Sequence, residues 1–270
     1  MNLNFSIINI DKPSGPTSFQ ISQFVKTALN LKKTSHLGTL DPKVTGVLPV
    51  ALGRACRLNE ILMHRNKTYV GIMRLHEEIE KKELEKQMKK FIGEITQLPP
   101  VRSRVKRAPR QREIISFKIL EIEGKNVLFE SEVQAGTYIR KLIHDLGEEI
   151  GGAHMLELRR TKAGIFSEDK IYNLYDFEKA ADEYKNGNDK LLKEMLIPAE
   201  EVIKKVLPSI QIEETSLKQL LVGKPLMKQD TKEKMPKEEI FAIFNKEKFI
   251  SIMKKSQEEN IIARPLFVYN

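Results

Sequence analysis

The stretch HLGTLDPKVTG, residues 36–46, places one carboxylate, Asp41, between two glycines. Taken alone, the pair Asp41-Pro42 predicts the start of a helix, because aspartate accepts hydrogen bonds at an N-cap and proline fits the first helical position. The other interpretation is a loop that leaves the carboxylate free for chemistry. The two interpretations differ in whether the oxygens of Asp41 accept capping hydrogen bonds or remain free. The flanking sequence distinguishes between them.

The composition is that of a basic chain of 270 residues, with 46 lysines and arginines against 37 aspartates and glutamates and a formal charge of +9. This charge predicts a polyanionic partner, either a nucleic acid or an anionic membrane surface. The single cysteine, Cys56, excludes an intramolecular disulfide and suits a reducing compartment. No signal-peptide pattern follows Met1 and no run of about 18 apolar residues occurs. We therefore expect a soluble cytoplasmic protein that does not enter a membrane.

Hydrophobic patterning predicts strands and helices that do not alternate as regular βαβ units, which indicates an α+β fold. The first helix is expected to begin at a capping box formed by Thr17 and Gln20, and Thr137 is the expected N-cap of a later amphipathic helix. Strands are expected at residues 5–10, 67–75, 114–122, 126–134 and 155–160, and further helices at about 78–92, 138–150 and 174–184.

The pattern of predicted secondary structure changes near residue 206, which predicts a domain boundary. Beyond it the sequence consists of short β-like segments, at residues 209–212, 240–244, 249–253 and 261–268, with one helix near 215–221. We therefore expect a larger mixed domain over residues 1–205 and a small β-rich domain over residues 206–270.

Metal and nucleotide chemistry have no support in the sequence. The five histidines show no HxxxH or HExxH spacing, and one cysteine cannot build a structural zinc site. Neither GxxxxGK[ST] nor GxGxxG is present. We expect no metal and no cofactor.

A basic run, VRSRVKRAPRQR at residues 101–112, places six cations in twelve residues without an acid. On a loop, this density of charge suits the neutralisation of nucleic-acid phosphates. The alternative is a solvated charge run, although such runs usually contain acids as well.

The Asp41 stretch does not stand alone, because related motifs precede and follow it in a fixed order. They are residues 9–18 (NIDKPSGPTS), 36–49 (HLGTLDPKVTGVLP), 67–69 (KTY), and 136–142 (GTYIRKL) with 152–160 (GAHMLELRR). Together they resemble the TruB family of RNA pseudouridine synthases. Residues 41–49, 99–107 and 157–168 are more similar to the archaeal and eukaryotic branch, that of dyskerin and the archaeal H/ACA guide-RNA enzyme, than to the bacterial transfer-RNA enzyme.

The resemblance implies a mixed, mainly antiparallel sheet of the pseudouridine synthase type with flanking helices. It makes residues 1–205 the catalytic domain and residues 206–270 a shortened PUA-like RNA-binding domain. Two features depart from the family pattern, namely the short tail and the start of the chain almost directly at the first motif. Both bear on how the protein would be held in a guide-RNA complex.

The resemblance also implies roles for individual residues. Asp41 is the expected nucleophile or base, Arg140 its ion-pair partner and Tyr69 the ring that stacks on a flipped uracil. The expected substrate-binding residues are Tyr138 and Leu158, which would line the pocket, His36, which would fill the space left by the flipped base, and Lys12, which would support the loop from beneath. The expected RNA-binding residues of the basic run are Arg102, Arg104, Lys106, Arg107 and Arg110.

Two kinds of RNA partner fit this resemblance. In the guided form, the protein acts on ribosomal RNA with an H/ACA guide RNA and small ribonucleoprotein proteins, whereas in the stand-alone form it modifies the T-loop uridine of transfer RNA. A different class, a catalytically idle RNA-binding scaffold or RNA chaperone, is the alternative. If the chain is an enzyme, Asp41 should face an open cleft near Arg140 and Tyr69, with oxygens that are not consumed by capping.

Overall fold

The computed structural model describes residues 2–99 and 106–270. Ten strands belong to a first sheet and five to a second. The strands of the first sheet are β1 (Phe5–Lys12), β2 (Thr34–His36), β3 (Thr45–Gly53), β4 (Lys67–Leu75), β5 (Gly93–Gln97), β6 (Arg110–Glu123), β7 (Asn126–Val133), β8 (Ala153–Ala163), β9 (Phe166–Ser167) and β10 (Leu196–Pro198). Those of the second are β11 (Ser209–Gln211), β12 (Leu226–Met227), β13 (Ile240–Asn245), β14 (Lys248–Lys255) and β15 (Ile261–Val268).

The first sheet has the order β10-β1-β3-β8-β4-β7-β6-β5, with β2 added to β3 and β9 to β8. Among the named strands of the described residues, β3 pairs with β8 in parallel and the other pairings of this sheet are antiparallel. Strands β1 and β3 are buried along almost their whole length, whereas β4 alternates between buried and partly exposed residues. The α+β fold class and the mixed, mainly antiparallel sheet are confirmed.

Eight α-helices accompany the strands in the described part of the chain. They are α1 (Ser18–Ala28), α2 (Asn59–Leu62), α3 (Lys81–Lys89), α4 (Ile139–Glu149), α5 (Leu174–Lys185), α6 (Lys190–Met195), α7 (Ala199–Val206) and α8 (Leu217–Leu221). The longer ones, α1, α3, α4 and α5, bury their apolar faces in the main hydrophobic core with one face of the first sheet. The capping box of Thr17 and Gln20 forms at the start of α1 as expected.

The second sheet packs directly on the first. Phe5 of β1 stacks on Tyr269 with ring centroids 4.0 Å apart and on Phe249 of β14 at 5.6 Å. These rings belong to one buried cluster that also contains residues of α7 and β3. Since Phe5 is completely buried, the two sheets share a core.

Three local expectations are wrong. Asp41-Pro42 does not begin a helix, because residues 41–44 form a β-turn closed by a hydrogen bond of 3.0 Å from the Val44 amide to the Asp41 carbonyl. Thr137 does not cap α4: the cap is Tyr138, and the Thr137 hydroxyl instead donates to the Gln134 carbonyl at 2.8 Å. The charged helix α3 is shorter than residues 78–92, since it begins at Lys81 and ends at Lys89.

A small β-rich C-terminal domain is also confirmed as part of the fold class. Its sheet has the order β11-β13-β14-β15-β12, and the helix that precedes it, α7, ends at Val206. Among the helices of residues 2–99 and 106–270, none is both long and apolar enough to span a membrane.

Candidate active site

The turn that carries Asp41 is held from below by Lys12. This lysine is completely buried, and its Nζ donates to the carbonyls of Pro13 at 2.9 Å and of Pro42 and Val44 at 2.8 Å. Burial lowers the pKa of Lys12, and the nearby Asp41 carboxylate partly offsets this. Lys12 thus makes three hydrogen bonds to the main chain, two of them to residues of the Asp41 turn.

Ser18 and Leu40 fix the other side of the same loop. The Ser18 hydroxyl donates to the Leu40 carbonyl at 3.0 Å and accepts from the Leu40 amide at 2.8 Å. Leu40 and Val44 are buried in the main core. The residues on both sides of Asp41 are therefore anchored, while its own side chain is half exposed.

Asp41 and Arg140 form an ion pair, with Nη2 of Arg140 at 2.6 Å from Oδ2 of Asp41. Arg140 is the second residue of α4 and its side chain is 63% exposed, against 50% for Asp41. The guanidinium at this distance orients the carboxylate through a charge-assisted hydrogen bond. The pair lies open to solvent, which leaves room for a large ligand and keeps the second carboxylate oxygen available.

Gln97 positions the helix that carries Arg140. The Gln97 side chain accepts from the Tyr138 amide at 2.9 Å and donates to the Tyr138 carbonyl at 3.2 Å. Gln97 is buried, and Tyr138 is the N-cap of α4. The last residue of β5 thus fixes the first turn of α4, two residues before Arg140.

Tyr69 and Leu158 project from the same face of the central strands. Tyr69 lies opposite Arg160 in the β4–β8 ladder and Leu158 lies opposite Gly71 two residues further along. Both side chains belong to the main core with Leu40 and Val44. Each is 9% exposed, so only a small part of either surface is accessible to a ligand.

Arg160 lies opposite Tyr69 in the β4–β8 ladder and binds the Asp41 loop. Its guanidinium donates to the Gly38 carbonyl at 3.0 Å and to the Val47 carbonyl at 2.8 Å. The structure therefore brings Asp41 and Arg140 into direct contact and places Tyr69 beside Arg160, which binds the loop.

His36 stands at the start of the loop, where its Nε2 lies 3.2 Å from the Thr39 hydroxyl. Burial and, to a lesser degree, the charge of Arg160 lower the pKa of His36. The imidazole is therefore biased towards its neutral form near pH 7, a state in which a ring can pack without carrying a charge into a partly buried site.

Part of the basic run lies outside the described residues, including Arg102 and Arg104. Lys106 and Arg107 are exposed, and Arg110 begins β6, where it pairs with Gln97. Arg110, the last cation but one of the run, therefore lies beside Gln97, which contacts the first turn of α4.

Family models match most of the chain. The N-terminal domain of TruB family pseudouridylate synthases matches residues 26–139, and the C-terminal domain of tRNA pseudouridylate synthase B matches residues 140–204. The chain belongs to the TruB family of pseudouridine synthases. All the side chains just described, except Lys12 and Ser18, lie within the matched parts of this TruB family chain.

Two curated relatives of this TruB family chain are archaeal proteins. The chain is 48% identical over 204 residues to a probable tRNA pseudouridine synthase B of Nanoarchaeum equitans, covering 75% of this chain and 58% of the relative. It is 47% identical over 219 residues to that of Methanopyrus kandleri, covering 80% and 64%. The matched part of the chain thus spans less than two thirds of the length of either relative.

Solved structures share the fold of this TruB family chain almost throughout. A Cbf5–Nop10–Gar1 complex matches with a TM-score of 0.87 and 36% identity, over 99% of this chain and 86% of the other. An H/ACA ribonucleoprotein bound to a substrate RNA containing 2′-deoxyuridine matches with a TM-score of 0.88 and 35% identity, over 100% and 86%. The expected similarity to the archaeal H/ACA branch is confirmed.

Three residues that organise the site were assigned no role from the sequence. Ser18 and Arg160 lie inside the recognised motifs. The feature that could have identified them is a polar residue at a position that faces the core. Gln97 offered no signal, because a glutamine before two prolines is not distinguishable from a surface residue. Among the described residues, no three His, Cys, Asp or Glu side chains are grouped to hold a metal.

Proposed function

We propose that this protein is an RNA pseudouridine synthase that converts uridine to pseudouridine in structured RNA. The observation that carries the proposal is the Asp41–Arg140 pair, an accessible carboxylate ion-paired at 2.6 Å on a loop held by buried hydrogen bonds. Family membership supports the assignment of this carboxylate to the isomerisation.

The reaction breaks the C1′–N1 bond of uridine, rotates the uracil and joins C1′ to C5, which then loses its proton. It consumes no oxidant, reductant or other co-reactant, so one positioned carboxylate is in principle sufficient. Asp41 would serve as nucleophile at C1′ or C6, or as the base that removes a proton from C2′. Arg140 would keep the carboxylate ionised and oriented during the reaction.

The uridine has to leave its stack to reach Asp41, at a cost of a few kcal/mol. We assign Tyr69 to contact with the flipped base, with Tyr138 and Leu158 as lining residues and His36 as the ring that fills the vacated space. Cations of the basic run (Arg102, Arg104, Lys106, Arg107 and Arg110) would offset part of the cost by contacts with phosphates.

The relatives and the solved structures support a proposal for the substrates and partners. The archaeal relatives are named as transfer-RNA enzymes, and the solved structures contain Nop10, Gar1 or an H/ACA ribonucleoprotein with substrate RNA. We propose that this chain modifies transfer RNA, ribosomal RNA guided by H/ACA RNA, or both, in the cytoplasm. Residues 1–205 would form the catalytic domain and residues 206–270 a PUA-like RNA-binding domain.

The test is conversion of uridine by the purified protein. Transfer RNA transcribed without modifications, and separately ribosomal RNA with its H/ACA guide RNA, Nop10 and Gar1, are incubated with the protein, and pseudouridine is mapped. Conversion of transfer RNA alone would show that a guide is not obligatory. Asp41→Asn should abolish conversion while RNA affinity stays within a few-fold.

Binding without conversion of any of these RNAs would contradict the proposal and support an idle scaffold or RNA chaperone. Conversion by Asp41→Asn near the rate of the unaltered protein would instead remove Asp41 from the mechanism.

A further inference from the structure

Arg112 is a half-buried cation whose hydrogen-bonding capacity is almost unused. It is the last cation of the basic run and lies in β6. Its Nη1 donates to the Gln111 carbonyl at 2.6 Å, whereas its Nε is buried without a hydrogen-bond partner and Nη2 donates to no acceptor within residues 2–99 and 106–270. The arginines that form ion pairs in this part of the chain are Arg140, Arg159 and Arg264. Unpaired donors at a partly buried site cost free energy, which an added acceptor would relieve.

The unused donors of Arg112 lie against Gly136, in the loop that leads into α4. A β-carbon at Gly136 would stand 3.1 Å from Nη2 and 3.2 Å from Nε, which is tighter than ordinary contact. Gly136 also has a φ of +83°, a conformation that side chains disfavour. A glycine at this position thus allows the edge of the guanidinium that carries the two unused donors to lie beside the loop.

This loop is fixed to β6 and carries the arginine of the candidate active site. The Gln134 amide donates to the Glu113 carbonyl at 2.8 Å, and the Glu113 amide donates to the Gln134 side chain at 3.2 Å. Arg140 follows the glycine by four residues and pairs with Asp41. Since four residues span at most about 14 Å, one short RNA strand can contact both Arg112 and the Asp41–Arg140 pair.

We propose that Arg112 binds a backbone phosphate of the RNA strand that carries the target uridine, next to that uridine. One phosphate oxygen accepts from Nη2 and a second from Nε as the guanidinium turns away from Gly136, which is the bidentate geometry that suits arginine to phosphate. The phosphate supplies the acceptor that the described residues do not provide. Because Arg112 is held within the sheet, the contact also fixes the position of the uridine relative to Asp41. The inference rests on the proposed function and identifies one contact of its RNA substrate.

The first test compares Arg112→Gln with Lys118→Gln, which removes the same charge from an exposed position further along β6. With transfer RNA transcribed without modifications, Arg112→Gln should reduce the slope of log affinity against log salt by about 0.7 to 0.9, the value of one phosphate contact. The single-turnover rate at saturating RNA should fall about tenfold, because the uridine is held less well. Lys118→Gln should leave the slope and the rate nearly unchanged. An unchanged slope in Arg112→Gln would overturn the proposal.

A substitution in the RNA shows which phosphate Arg112 contacts. A neutral methylphosphonate replaces, one at a time, each phosphate that flanks the converted uridine in synthetic RNA of the same sequence. At the contacted phosphate, the unaltered protein should lose as much affinity as Arg112→Gln loses on unaltered RNA, and Arg112→Gln should lose little more. Additive losses at every flanking phosphate would overturn the proposal.

A measurement on the unaltered protein covers the case in which Arg112→Gln fails to fold. In protein labelled with nitrogen-15 in its arginines, RNA should shift the Nε signal of Arg112, and the methylphosphonate at the contacted position should abolish this shift. An Nε signal that RNA leaves in place would overturn the proposal without any activity measurement. Absence of conversion by the unaltered protein would contradict the proposed function itself, whereas conversion with additive losses at every flanking phosphate contradicts only the role of Arg112.

Discussion

At the scale of single residues, a variant of Arg140 distinguishes a role in catalysis from a role in RNA binding. Arg140→Gln leaves Asp41 without its charged partner, so we expect the single-turnover rate to fall at least 100-fold while RNA affinity changes only a few-fold. The matched control is Lys141→Gln, since the neighbouring Lys141 pairs with Asp145 on the same helix instead. A loss confined to affinity would make Arg140 a phosphate contact.

Lys67 gives a prediction for pH. Its pKa in the folded chain is about 8, below the ordinary lysine value of 10.5. Between these two values the unfolded chain binds more protons at this site, so the contribution of Lys67 makes the free energy of unfolding rise with pH. The destabilisation is complete below pH 8 and is relieved above 10.5.

Denaturant unfolding of the unaltered protein and of Lys67→Met from pH 7 to 10.5 measures this contribution. The difference in their free energies of unfolding should change by roughly 2 to 3 kcal/mol in favour of the unaltered protein as the pH rises, at about 1.4 kcal/mol per pKa unit. The exposed Lys89→Met serves as control and should give a nearly constant difference. A constant difference for Lys67→Met would show that Lys67 titrates as a solvated lysine.

At the scale of elements, the end of β5 and the start of α4 act as one unit. Gln97→Met preserves the volume of the side chain and removes both hydrogen bonds to Tyr138. We expect the first turn of α4 to loosen and the rate to fall about tenfold, which corresponds to about 1.4 kcal/mol in the barrier. RNA affinity should be nearly unchanged. Gln111→Met, on the exposed side of the adjoining strand β6, is the control and should behave like the unaltered protein.

The segment between β5 and β6 gives a prediction for salt. Replacing Arg102, Arg104 and Lys106 by glutamine should weaken RNA binding and reduce the slope of log affinity against log salt by about two to three, since each phosphate contact contributes about 0.7 to 0.9. Replacing Lys81, Lys82 and Lys86 of α3 removes the same charge elsewhere and should have a much smaller effect. An unchanged slope in the first variant would make the basic run a solvated charge run.

The elements also show what could be predicted from the sequence and why. Strand β4 was predicted with its observed bounds, because its alternation of apolar residues depends only on local burial. The Asp41-Pro42 pair was misleading when taken alone, because local capping preference is overridden by the contacts of Lys12 and Ser18, which come from other elements. Gln97 was not recognised because its partner, Tyr138, lies 41 residues away in sequence.

At the scale of the whole molecule, the two sheets should unfold together. Phe5 and Phe249 lie in one buried cluster that contains residues from both sheets. Phe249→Ala should therefore lower the free energy of unfolding by about 3 to 5 kcal/mol. Calorimetry should show one transition, and hydrogen exchange should increase in β4 as well as in β14. Two separate transitions, or an effect confined to β14, would contradict a shared core.

The shared core also limits how the C-terminal sheet can be exchanged between relatives. Its aromatic contacts end on Phe5, a residue of the first strand of the chain, and Arg54 binds the carbonyl of Val268 at 2.9 Å from the other side. A C-terminal sheet from a relative would have to pack on a surface that fits the rings of Phe249 and Tyr269. The C-terminal sheet therefore cannot be exchanged between relatives as an independent unit. A chimera would have to include β1 from the same parent as the sheet.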